Sequence, residues 1–335
     1  WRARAEQRAM TLFSKALTRA AAAILAIALA ATVPQGAQAQ VPKTIRIVVP
    51  FPAGGPTDVT ARVVGEQIGK QHGVSFVVEN RLGGGGLIAT ESVARAEPDG
   101  GTLLIVASGV LINPLLKKTN YDPLTSFAPL CLLVRSPHYI VVNKDSPIRN
   151  FADFLATARA KPGELSFATV GPATGPHIAF ETLKRRAKAD ITFVPFNGTS
   201  PSINAVMGGH VSVAMGDFRD VYGALQGGTL RGLATTGASR LEQLPDIPTV
   251  AEQGFPGFEA ESWFGIVAPA ATPKDTVTQL DAWFQEALQN AEVRSKLVSA
   301  GVFPTGRCGA DFVAHLRHQS EEIAKIVREA NIKAE

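Results

Sequence analysis

"IRIVVPFPAGGPTDVTARVVGEQIGK", Ile45 to Lys70, decides how the chain is read. A β-branched apolar run ends at a Pro/Gly loop, and a helical pattern starts at once, with Ala61, Val64 and Ile68 on one face. Backbone N–H groups at a helix start lack intrahelical partners, and the macrodipole favours negative charge there. Glycines let the main chain approach a ligand, and Pro56 at the first helical position gives up only a spare donor. The loop lacks G-x-x-x-x-G-K-[ST] and G-x-G-x-x-G, and no Lys follows its glycines. A carboxylate therefore suits it better than a polyphosphate. An ordinary strand-to-helix turn is the competing account.

The loop has an echo. "FATVGPATGPHIAFETL" also runs strand, Gly/Pro loop, helix, and Gly175-Pro176-His177 follows Gly55-Pro56-Thr57 by 120 residues. That spacing predicts one such loop in each of two domains, with two helix N-termini facing one cleft. Between and after them, short apolar runs alternate with helical patterns. "VSFVVEN", "GTLLIVAS", "FAPLCLLV", "HYIVVN", "LSFATV", "ITFVPFN", "HVSVAMG" and "LRGLATT" read as strands. Helices are predicted through Ala94, over 150–160, from Gly171, from Ser200 and near 219–226, and Thr272-Pro273-Lys274-Asp275 reads as a helix start with Thr272 as N-cap. The last sixty residues read as mostly helical. The fold class is α/β.

From Met10 the chain shows a basic segment (Lys15, Arg19), an apolar run of 14 residues from Ala20 to Val33, and Ala37-Gln38-Ala39. This predicts a secretory signal peptide cleaved near Ala39-Gln40; an uncleaved anchor is the competing reading. Residues ahead of Met10 are a start-site artefact or an extension. The chain holds 33 basic and 29 acidic residues. Five basic (Arg2, Arg4, Arg8, Lys15, Arg19) and one acidic (Glu6) lie before Gln40, which leaves 28 of each beyond it. A neutral mature chain gives no argument for nucleic acid. Its 296 or so residues predict two domains. The two cysteines, Cys131 and Cys308, can pair in an exported protein, but "APLCLLV" predicts that Cys131 packs as a small hydrophobe.

Catalytic motifs are sparse: G-x-S-x-G, H-E-x-x-H and C-x-x-C do not occur. His315 and His318 share a helix at i, i+3, a spacing that suits a metal but reads first as a solvated face. Asp217, Arg219 and Asp220 form either an acid/base cluster or, the favoured reading, loop and N-cap residues. His177 sits where its cationic form is disfavoured.

Several strings together resemble one family: "IRIVVPFPAGGPTD", "FVVENR", "ARAEPDGGTLL", "NYDPLTSFAPL", "GPATGPH", "LPDIPTVAEQGFPGFE" and "SWFGIVAPAATP". They are similar to the substrate-binding receptors of tripartite tricarboxylate transporters, the Bug-type periplasmic receptors. The resemblance implies a two-domain periplasmic-binding-protein fold, a type II-like Venus flytrap. Domain 1 would comprise 41–143 and 262–335 and domain 2 144–261, with crossings near Val142-Asn143 and Glu261-Ser262. It implies a periplasmic receptor that captures a small carboxylate, either a di- or tricarboxylate or an aromatic acid, by hinge closure. The receptor would be a monomer without cofactor or metal. Its partner would be the transporter's membrane permease subunits, or in some relatives a sensor kinase ectodomain.

Residue by residue, the resemblance assigns Phe51, Gly54, Gly55, Thr57 and Asp58 from the first loop to ligand binding. Thr169, Gly171, Thr174 and His177 come from the second, and Ser108, Gly109, Phe196 and Asp217 complete the set. Gly101 replaces the family's usual aromatic. Phe193, Phe196 and Asn197 replace an imidazole, a hydroxyl and a cation, which favours a less charged ligand. An enzyme on a bilobal scaffold, using Asp58, His177 or Asp217 as acid or base, is the alternative.

Overall fold

The computed structural model describes residues 41–171, 174–196 and 198–333; the predicted leader and Asn197 lie outside them. Ten strands form one ladder, ordered β2-β1-β3-β9-β4-β7-β5-β6, with β8 and β10 also paired to β4. The opening stretch forms β1 (Thr44–Val49) and α1 (Pro56–His72), the latter stopped by Gly73 in the left-handed region (φ 66°). β2 (Ser75–Asn80), α2 (Leu87–Ala94), β3 (Thr102–Val106) and α3 (Gly109–Leu116) follow. β2, β1 and β3 are mutually parallel, and β9 (Glu261–Pro269) lies antiparallel to β3.

The second group comprises α4 (Phe151–Ala160), β5 (Ser166–Val170), α5 (Gly175–Ala187), β6 (Thr192–Phe196), α6 (Thr199–Met207), β7 (Val213–Asp217), α7 (Phe218–Gln226) and β8 (Leu230–Thr235). There β6, β5 and β7 are parallel. α8 (Lys274–Gln289), α9 (Ala291–Ser299), β10 (Phe303–Cys308) and α10 (Ala310–Glu329) return to the first group.

The join is β4 (Phe127–Asn143), a single 17-residue strand where the sequence predicts two. Residues 127–137 pair with β9, ending at Pro137↔Glu261. From His138 the partners become β7 and β8. A proline donates no ladder hydrogen bond, so Pro137 suits the point where pairing changes hands. The predicted crossing at Val142-Asn143 lies inside the second paired segment.

Side-chain alternation divides the core. Ile45, Ile47 and Val49 pack with α1, α8 and α9, while Val48, Leu104 and Val106 face α2, α3 and α10. In the second group Ile140 and Val142 pack with α4 and α5, whereas Tyr139 and Val141 face α6 and α7. Each sheet is covered on both faces, which is why its strands read as continuous apolar runs. Ala61, Val64 and Ile68 are fully buried, as the periodicity predicts. Each larger aliphatic contributes about 1.5–3 kcal/mol.

Three local expectations are corrected. Cys131 is buried but bonded: it faces Cys308 across the β4–β10 ladder and forms a disulfide. Apolar sequence around Cys131 could not reveal the partner because β10 itself was not anticipated. Thr272 does not cap α8; its hydroxyl turns back to the Pro269 carbonyl at 2.7 Å, and Pro273 holds the cap position. The helix predicted from Gly171 begins at Gly175, with Thr174 as its cap. Among the described residues no helix is long and apolar enough to cross a membrane.

Candidate functional site

The loops after β1, β3, β5, β6 and β7 all leave the carboxyl ends of parallel strands, where open α/β sheets bind ligands. After β1 the chain turns through Gly54 (φ 79°), whose missing side chain faces open space. Gly55 is the N-cap of α1 and offers no side-chain cap. Asp58 braces this loop from beneath. Its Oδ2 accepts from the Gly54 N–H and from Arg62 Nε, both at 3.0 Å, while Oδ1 accepts from Arg62 and Asn80, also at 3.0 Å. Asn80 also donates to the Phe51 carbonyl at 3.0 Å. Burial pushes the Asp58 carboxyl up, but the bonds from Arg62, Gly54 and Asn80 outweigh it and hold it below the ordinary carboxylate range. A buried carboxylate so occupied positions the loop rather than contacting an anion. Thr57, beside it, buries a hydroxyl with no hydrogen-bond partner among the described residues.

The second loop is built differently. Thr174 Oγ1 accepts from the His177 N–H at 3.4 Å and donates to the Gly171 carbonyl at 2.9 Å. The Gly171 N–H in turn reaches the Phe196 carbonyl at 3.0 Å, tying the loop to β6. Thr169 is fully buried, and its hydroxyl also lacks a partner among the described residues. His177 turns inward: its ring stacks on Phe193 at 4.4 Å. Burial, aided by Lys184, pushes it down to about 4, so it is neutral at physiological pH. Phe193, whose substitution was read as a lost polar group in the cleft, serves this stack.

Two contacts join the groups across the site. A Cβ added to Gly175 would lie 2.8 Å from Ser108 Oγ, on the residue preceding α3, which begins at Gly109. A Cβ added to Gly301 would lie 2.8 Å from Arg219 Cβ. Near the second contact is a cavity of about 210 Å³, lined by Pro56, Ser136 and Phe264 on one side and Thr199, Asp217, Arg219 and Asp220 on the other. The first turns of α1, α6 and α7 therefore border one small space. Asp217 Oδ1 lies 2.6 Å from His138 Nδ1, though without hydrogen-bond alignment, and 3.4 Å from Ser262 Oγ. Burial and the neighbouring Asp217 push the Asp220 carboxyl up.

Of the thirteen residues that the resemblance assigns, Asp217 lines this cavity, and Thr57 adjoins it through Pro56. Ser108 borders a larger concavity of about 830 Å³ between α5 and α10, which also takes in Trp263 and His315. Asp58 and His177 are committed to neighbouring side chains. Thr199, Arg219 and Phe264 were missed. "NGTSP" did carry a signal for Thr199, a glycine ahead of a helix start, as in the other two loops. His315 packs edge-on against Trp263 at 5.1 Å, and burial, with Arg307 and His318 nearby, pushes it down to about 4. His318 is exposed. Among the described residues, the one group of His, Cys, Asp or Glu close enough to share a metal is Cys131, Cys308 and Asp281, and its two cysteines are bonded to each other.

The comparisons agree with this architecture. Residues 60–332 match the family described as tripartite tricarboxylate transporter family receptor. The chain is 30% identical over 294 residues to BugT of Bordetella pertussis, covering 87% of this chain and 90% of that protein. Rpa4515 of R. palustris, solved with adipate, is 32% identical with a TM-score of 0.74, covering 88% of this chain and 99% of the other. MatC from Rhodopseudomonas palustris, solved with bound malate, is 30% identical with a TM-score of 0.68, covering 85% and 98%. The flytrap-like α/β fold and the extent of these matches agree: the chain belongs to the tripartite tricarboxylate transporter receptor family.

Proposed function

We propose that the protein is a periplasmic solute receptor that captures a small carboxylate between its two lobes and delivers it to a tripartite-type membrane permease. One observation carries this reading: a single small cavity is bordered by helix first turns from both sheet groups, α1 on one side and α6 and α7 on the other. Such termini favour anions without needing a dedicated cation. The relatives that hold adipate and malate support the ligand class. A carboxylate touching both sides binds the closed form more tightly than the open one, and that difference drives closure.

In this proposal the lobes are about 41–137 with 262–333, and 138–261, meeting at Pro137-His138 and Glu261. Main-chain groups of Gly54, Gly55, Gly109 and Gly171, with the hydroxyls of Thr57, Ser108, Thr169 and Thr174, form the cradle, and Phe51 and Phe196 close its walls. Capture is stoichiometric, without turnover, because two of the acid/base candidates are already committed: Asp58 is bonded to Arg62, and His177 is stacked on Phe193. Export follows from cleavage of the leader near Ala39-Gln40.

The test is a thermal-shift screen of the exported protein, refolded to strip copurified ligand, against mono-, di- and tricarboxylates and aromatic acids. The reading requires a saturable rise with at least one acid, about 2.7 kcal/mol of stabilisation at a hundredfold excess over Kd. No shift with any acid overturns it.

A further inference from the structure

Resting on the carboxylate reading, one side chain narrows the ligand class. Asp217, Arg219 and Asp220 all line the 210 Å³ cavity, but their surroundings differ. The Asp217 carboxylate is turned to His138, 2.6 Å away, and to Ser262 at 3.4 Å. Asp220 meets the Ser200 hydroxyl at 3.5 Å. Arg219 makes no ion pair or hydrogen bond among the described residues. Its position is nevertheless fixed at the root: its stem lies against the bare backbone of Gly301, whose φ of 79° and close approach leave no room for a side chain. A guanidinium held by its stem, with its donors unspent, offers a planar fork that matches a carboxylate.

We propose that Arg219 is a specificity-determining residue that binds the distal carboxylate of a small dicarboxylate whose proximal carboxylate lies at the first turn of α1. The geometry sets the class. Pro56 and Arg219 line the same cavity from different sheet groups, so an acid reaching both must carry two anionic ends. At about 210 Å³ the space is smaller than the roughly 300–1,000 Å³ of drug-sized sites, which selects a short-chain diacid over a tricarboxylate or a fused aromatic acid. A diacid spanning the two sides also ties its second charge to closure, since it gains the Arg219 contact only when the lobes meet. A monocarboxylate gains nothing from this arginine.

The experiment is calorimetric titration of wild-type protein, Arg219→Met and Arg219→Lys with C4 to C6 dicarboxylates and with the monocarboxylates of matching chain length. Wild type should favour diacids. Arg219→Met should lose about tenfold or more for diacids with monoacid affinity unchanged, as expected for one charge-assisted hydrogen bond. Arg219→Lys should recover part of the diacid preference. Because Arg219 is exposed, the variants should keep the wild-type melting temperature without ligand, and a variant that does not fold is replaced by Arg219→Gln. Equal diacid affinity in wild type and Arg219→Met overturns the inference while leaving the receptor reading intact. An equal loss for mono- and diacids also overturns it. A wild type that binds no carboxylate overturns the receptor reading and this inference with it.

Discussion

A side chain on Gly175 tests directly whether lobe contact is needed for capture. Gly175 opens α5 with Thr174 as its cap, so alanine or valine strains no left-handed backbone there. The added Cβ would sit 2.8 Å from Ser108 Oγ, well inside contact distance, and 3.7 Å from Ser108 Cβ. Alanine can be accommodated if Ser108 rotates its hydroxyl away. Valine adds two methyls and leaves no such escape. Overpacking of this kind costs about 1–3 kcal/mol, and here the penalty falls on the closed arrangement, where Ser108 and Gly175 touch. Since 1.4 kcal/mol is a factor of ten, Gly175→Val should weaken ligand binding by roughly 5- to 100-fold. Without ligand, its unfolding free energy should change by less than about 1 kcal/mol. Ser108→Gly in the same chain should restore most of the lost affinity, giving a coupling of about 1 kcal/mol or more in a double-mutant cycle. The assay is isothermal titration with whichever acid the thermal-shift screen selects, beside urea denaturation without ligand. Equal affinity in Gly175→Val and wild type would refute the reasoning, as would a loss that Ser108→Gly does not relieve.

Three further outcomes follow from buried charge. The folded pKa of His177, about 4, lies below its ordinary 6.5, so the unfolded chain takes up a proton that the folded chain refuses; the stabilisation is complete above pH 6.5 and is lost as pH falls towards 4. Urea titrations at pH 7 and 4.5 should show a drop of up to about 3 kcal/mol from this group, and His177→Phe should flatten that dependence. Asp281 behaves in the opposite sense. Burial raises its carboxyl to about 6, so the folded state loses stability as pH rises from 3.8 through 6, and Asp281→Asn should be more stable than wild type at pH 7 by about 1–2 kcal/mol but not at pH 3.5. Arg62→Met leaves Asp58 buried with only Gly54 and Asn80 as donors; it should cost about 1–2 kcal/mol, discounted because Arg62 is half exposed, and should weaken ligand binding by loosening the first loop.

The strand-turn-helix rhythm was readable because each lobe's sheet is covered on both faces, so its strands appear as apolar runs bounded by Gly and Pro. The two loops were readable for the same reason, since a glycine before a capped helix leaves a local mark. What escaped depends on partners distant in sequence. Pro137 looks like a break between two strands, yet it lies inside β4, because β9 supplies pairing up to it and β7 resumes directly after. Asp58 looks like a ligand contact until Arg62 and Asn80 are seen to occupy it. Arg219 looks like one charge in a solvated cluster, and only its place against Gly301 sets it at the cavity wall.

The Cys131–Cys308 bond spans 177 positions of sequence, and the whole run from β5 to β8 lies inside that span. Covalently, the second sheet group is a loop hanging from a closed ring. A protease that cuts anywhere between the two cysteines should leave the fragments joined on a non-reducing gel and release them only when thiol is added. A pull applied to the two ends would be carried through the sulfur bridge, so the segment that holds α5, α6 and α7 would bear no load. During export the ring can close only after Cys308 has emerged, which gives the enclosed segment time to fold before the clasp that encircles it is made.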